Sequence, residues 1–124
     1  FVIPDDYECP DLVFLDQFAV ADIIGDSRLG FRRALQDVTL GENVPCLFVG
    51  PTDDLKLTQL HRAATHAGWI CKSASTPASR LEVLLEFQRE HGAQLITVIS
   101  KYSDLVAELE NIGCEVQIIS EVCE

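Results

Sequence analysis

Residues able to do chemistry gather just past the apolar runs of this chain. Leu12-Val13-Phe14-Leu15 ends on Asp16, and the run Pro45 to Val49 is followed by Thr52, Asp53 and Asp54. Ser73, Ser75 and Thr76 close a third run, Ser100 to Asp104 follow a fourth, and Ser120 and Glu121 a fifth. An acid at the end of the first run is where a divalent-metal site could begin. Carboxylates hold Mg²⁺ or Mn²⁺, and the metal activates water and offsets charge on a transferring phosphate. One carboxylate is not enough, because several must converge. Asp16 and Asp104 lead, with Asp53 or Glu82 as a third. The competing reading makes Asp104, Asp53 and Asp54 ordinary acids at helix starts. Asp16 is then a strand-end residue bonding nearby amides.

Arg28, Arg32 and Arg33 form the one basic cluster, and Arg28 and Arg32 share a helix face. They suit a phosphate or an acidic partner, against the plainer reading of a solvated face. His61 and His66 do not face the same way on a helix. No Ser-His-Asp or Cys-His spacing is present, and Gly50-Pro51-Thr52 lacks the phosphate-loop pattern. Cys9, Cys46, Cys71, Cys114 and Cys123 form no C-x-x-C pair and have no zinc spacing with the histidines. Asp16 with Lys101 faintly suggests a response-regulator receiver, but the acidic pocket of that class is missing.

The elements that must position these residues alternate. At Gly68, Gly92 and Gly113 a helix-like segment meets glycine and then a strand-like run. Glycine past a helix end takes the left-handed conformation that other residues resist. Strands separated by whole helices lie parallel, and in open parallel sheets function gathers at the strands' carboxyl ends. The expected strands are Leu12–Leu15, Pro45–Val49, Trp69–Ala74, Gln94–Ile99 and Glu115–Ile119. The first helix runs from a Ser27 cap to about Val38, with Phe31, Ala34, Leu35 and Val38 inward. Thr52 or Asp53 caps the second, which buries Leu57, Leu60, Ala64 and Ala67. Ser75-Thr76-Pro77 starts the third, with a stripe of Leu81, Leu84, Leu85 and Gln88 flanked by Val83 and Phe87. Ser103 caps the last, which turns Leu105, Val106, Leu109 and Ile112 inward. Phe1 to Pro10 reads as an extended lead-in. The expected fold is α/β, a three-layer α/β/α sandwich on a five-stranded, mainly parallel sheet.

Composition sets bounds. The 124 residues suffice for one domain, expected to span 1–124 and to be cut from a longer protein. The net charge of −11, from 20 acidic and 9 basic residues, opposes non-specific binding of nucleic acid. No apolar run reaches membrane-spanning length, so no membrane association is expected. The cysteine usage fits a reducing, intracellular compartment, cytoplasmic or nuclear.

Leu12-Val13-Phe14-Leu15-Asp16 resembles the opening strand of NYN domains, a branch of the PIN-like ribonucleases. Ile96-Thr97-Val98-Ile99-Ser100-Lys101-Tyr102-Ser103-Asp104-Leu105, continuing through Leu109, Gly113 and Val116 to Ile119, resembles their closing strand, acidic turn, helix and strand. The resemblance covers nearly the whole chain. It implies a metal-dependent endoribonuclease site using Mg or Mn, and this chain departs from it in three places. Gln17-Phe18-Ala19 replaces the glycine and asparagine after Asp16. Tyr102 stands where the closing motif has its first aspartate, and only Asp104 keeps the second. The family's middle aspartate falls within Pro77 to Glu82, which offers Arg80 and only Glu82 as an acid.

The expectation is therefore a catalytically degenerate NYN-like module without a metal or other cofactor. It would bind a protein partner, within an RNA-processing or RNA-regulatory protein. A homodimer stays open, and RNA would bind weakly at most. The alternative is a divergent Mg/Mn-dependent ribonuclease with Asp16 and Asp104 as its catalytic residues. A nucleotide or small-molecule binder is a third reading with no motif behind it. Beyond the arginines, the expected binding residues are Phe18 and Ile23, part of an apolar patch with Val20 and Ile24.

Overall fold

The computed structural model describes residues 5–17, 20, 28–99 and 104–119. The described chain alternates β1 (Leu12–Asp16), α1 (Arg28–Val38), β2 (Cys46–Gly50), α2 (Leu55–His66), β3 (Ile70–Ser73), α3 (Pro77–His91), β4 (Leu95–Ile99), α4 (Asp104–Asn111) and β5 (Glu115–Ile119). The strands form one sheet in the order β3-β2-β1-β4-β5, and every neighbouring pair is parallel.

The order follows from how the chain winds. From β1 it moves outward through β2 to β3, with α1 and α2 on one face. It then returns across β1 to β4 and β5, with α3 and α4 on the other face. Side chains alternate across a strand, so each central strand feeds both cores. Val13, Leu15 and Phe48 pack with Phe31, Ala34 and Val38 of α1 and Leu60 and Ala64 of α2. Leu12, Phe14, Leu47, Val49, Ile96 and Val98 pack with Leu84 and Phe87 of α3 and Leu109 of α4. β1 and β2 are buried along their whole length, which is why both read as unbroken apolar runs. β3 and β5 are the edges. β3 is mostly exposed and spans only four residues, shorter than expected, because Trp69 and Ala74 leave the ladder.

The expected joints are present. Gly68, Gly92 and Gly113 have φ of +103°, +62° and +91°. Past α1 two successive residues are left-handed, Leu40 at +52° and Gly41 at +78°. Thr76 caps α3 and shares a reciprocal capping box with Ser79, and Pro77 stands at the helix start.

Several expectations need correction. The cap of α2 is Asp54, whose side chain accepts from Leu57 N at 2.9 Å, and not Thr52 or Asp53. The inward stripe of α3 is centred on Arg80, Leu84 and Phe87, with Leu81, Leu85 and Gln88 only partly covered. Ile112 lies past the end of α4 and is half exposed. Val20 is 1 % exposed and packs in the α1/α2-side core, so it belongs to no surface patch.

The lead-in segment is tied down. Tyr7 Oη donates to the Val38 carbonyl and shares a 2.9 Å hydrogen bond with Thr97 Oγ1. Glu8 N donates to Gln117 Oε1 at 2.9 Å, and Gln117 Nε2 donates to Glu8 O at 2.8 Å.

Candidate functional site at the carboxyl edge of the sheet

In an open parallel sheet, the crevice forms where the winding reverses. Here that point lies between β1 and β4. Asp16 is the last residue of β1, paired in register with Val49 of β2, and Leu15 beside it pairs with Ile99 of β4. Alternation puts Asp16 with Leu12 and Phe14, on the face covered by α3 and α4. It is 1 % exposed and does not lack a partner. Asp104 opens α4 soon after β4 ends. Because β1 and β4 are parallel, both acids belong to the same end of the sheet.

The third carboxylate is what the geometry withholds. Glu82 is exposed on the outer side of α3, and the inward position near that helix start is Arg80, 7 % exposed and also partnered. Asp53 is exposed. Among the described residues no three of His, Cys, Asp and Glu are grouped to hold a metal ion. The buried guanidinium of Arg80 on this side of the sheet repels a divalent cation. The described residues therefore do not fit a divalent centre.

Asp53 belongs instead to a neighbouring cleft of about 420 Å³, lined by Pro51, Thr52, Asp53, Ser73, Ala74, Ser75 and Ser79. The ends of β2 and β3 and the start of α3 build it. Thr52 Oγ1 and Ser73 Oγ lie 3.3 Å apart. Ser79 Oγ is already committed to the capping box, donating to Thr76 O at 3.0 Å. The hydroxyls were visible in the sequence. Their convergence depends on β2 and β3 being neighbours, and no local pattern states that.

Gln17 is the residue that sequence reasoning passed over. Its Oε1 is buried with no hydrogen-bond partner. Its side chain lies over Gly50, where an added Cβ would come within 2.9 Å of Oε1. On the same α2-covered face His61 Nε2 lies 2.8 Å from that glycine's carbonyl oxygen, with its ring edge-on to Phe48. His61 thus buttresses the end of β2. Burial pushes the Cys46 thiol up to about 12, and raises those of Cys9, Cys71 and Cys114. Thiols so shifted are poor nucleophiles.

Arg28, Arg32 and Arg33 are all exposed on α1. Phe18, Ile23 and Ile24 lie outside the described residues, as do Tyr102 and the Ser27 and Ser103 caps. Among the described residues no helix is long and apolar enough to cross a membrane. Comparison with protein-family models, curated proteins and solved structures found no match.

Proposed function

We propose that this chain is an NYN-like domain that has lost metal-dependent nuclease chemistry and works by binding a protein partner. The reading rests on the sequence resemblance, and the parallel three-layer fold is compatible with it. The observation that carries it is Arg80. This arginine is buried near the start of α3, on the face that Asp16 also belongs to, in the stretch where the family has an aspartate. The net charge of −11 favours a protein over RNA as the partner. An RNA-processing or RNA-regulatory setting, inside the cell, goes with the resemblance.

The alternative is a divergent Mg/Mn-dependent ribonuclease using Asp16 and Asp104. It draws support from the burial of Asp16 at the switch point. One experiment separates the two. The chain is incubated with single-stranded RNA and Mn²⁺, and Mn²⁺ binding is followed by calorimetry. Intact RNA and no tight Mn²⁺ binding are expected, with Asp16→Asn behaving as the parent. Cleavage that Asp16→Asn abolishes would replace the proposal with the alternative.

A further inference from the structure

We infer that the outer face of α1 is a docking surface for an acidic, partly apolar peptide segment of another protein. This rests on the protein-binding reading above and names the partner's chemistry. Three of the chain's nine basic residues, Arg28, Arg32 and Arg33, fall in the first two turns of α1, and all three are exposed. Leu29 stands among them at 75 % exposure, one helical turn from Arg32 and Arg33. Leu40, just past the helix, is 50 % exposed.

Helix stability does not account for this arrangement. The amino-terminal end of a helix carries partial positive charge and favours acids. α1 has no acid in its first turn and no base in its last, and Arg28 sits in the first turn, the wrong end for the dipole. A local rule broken without an internal gain is a mark of function. Burial of the inner face does not need them either, since Phe31, Ala34 and Val38 fill it.

Charge complementarity selects the occupant. Guanidinium groups bind carboxylates through paired hydrogen bonds, and Leu29 offers a contact that a purely polar ligand would leave unused. Nucleic acid fits less well, because a phosphate backbone would leave Leu29 without an apolar contact. A second copy of the chain fits less well, because it would bring a whole −11 surface where a peptide brings only a short acidic segment.

The test is selection from a random peptide display library against the 124-residue chain. Enriched peptides should carry clustered Asp or Glu beside an apolar residue. Anisotropy with one labelled winner should give affinity that falls with salt. Combined Arg32→Glu and Arg33→Glu should weaken it about tenfold or more. Leu29→Ser should weaken it by a smaller factor with little change in salt dependence. The charge-reversed chain should melt at or above the parent temperature. If it does not fold, Arg32→Lys with Arg33→Lys replaces it and should still lose affinity, because lysine cannot form the paired contact.

Winners without acidic character, or affinity indifferent to these substitutions, would overturn the inference. So would RNA binding tighter than peptide binding, or self-association lost on charge reversal. Mn²⁺-dependent RNA cleavage would bring down the non-catalytic reading and leave the arginine result to be judged separately.

Discussion

The two ends of the parallel sheet are built differently. At the amino end, polar side chains lock separate elements together. Tyr7 bridges Val38 and Thr97, Asp11 accepts from both Gln94 N and Leu95 N at 3.0 Å, and Trp69 Nε1 donates to Phe31 O at 2.9 Å. At the carboxyl end lie a buried acid at Asp16, an unsatisfied Gln17 Oε1 and an open hydroxyl-lined cleft. Hydrogen bonds that join elements contribute to stability, whereas buried polar groups left over from such bonds detract from it. The amino end serves the fold, and the carboxyl end keeps the features a site would use.

Substitutions at the amino end should therefore cost the most. Trp69→Ala removes a 3 % exposed ring that meets Phe31 edge-on, together with its hydrogen bond. A loss of about 3–5 kcal/mol is expected in denaturant unfolding. A cost below about 1 kcal/mol would break the contrast.

Tyr7 should reveal itself at high pH. Burial pushes its hydroxyl up from 10.0 to about 12. A folded pKa above the unfolded one means the contribution is complete below pH 10 and is lost as pH rises through about 12. Tyr7→Phe should be less stable near neutrality and show a shallower alkaline decline. Parallel alkaline limbs for the two proteins would remove Tyr7 from the account.

Asp11 should do the reverse in acid. The amides of Leu95 and Gln94 hold its carboxyl below the usual range. Its contribution is then present above the unfolded value of about 3.9 and is lost as pH falls through the lower folded value. Because Asp11 is exposed, solvent limits the effect to about 1 kcal/mol. Asp11→Asn should flatten the acid limb of a stability profile, and an unchanged limb would refute the assignment.

The smallest effect belongs to the carboxyl end. Gln17→Leu removes an oxygen with no partner. Stability should be unchanged or rise by up to about 1 kcal/mol. A clear loss by calorimetry would mean that Gln17 holds the fold and is not surplus polarity at a site.

These differences also explain what could be read ahead of the structure. Helix-to-strand joints are local events, so the positive φ values of Gly68, Gly92 and Gly113 were legible. So was β5, whose limits agree with the expectation. Capping depends on which oxygen reaches which amide, so the choice between Thr52 and Asp53 missed Asp54 beside them. Arg80 was left out of the inward stripe of α3 because hydropathy favours leucines there, whereas it is buried in that stripe with Leu84 and Phe87. The sheet order is a long-range property. Without it, neither Gln17 over Gly50 nor the gathering of Thr52, Ser73 and Ser79 could be foreseen. Val20 illustrates the remaining failure. An apolar residue outside any clear periodicity looked available to a partner, and the core had claimed it.

The pairing of Glu8 with Gln117 joins residues 109 positions apart, and the Gln117 amide imitates the edge of a neighbouring strand. On a ribosome, which makes the chain from its amino end, Glu8 emerges 109 residues ahead of its counterpart. Contacts this distant in sequence form slowly, because the intervening chain must first be closed. This pairing of the lead-in segment therefore waits until β5 has been made. Its docking is a late latch, and resistance of the Glu8 peptide bond to protease would time the completion of the nascent domain.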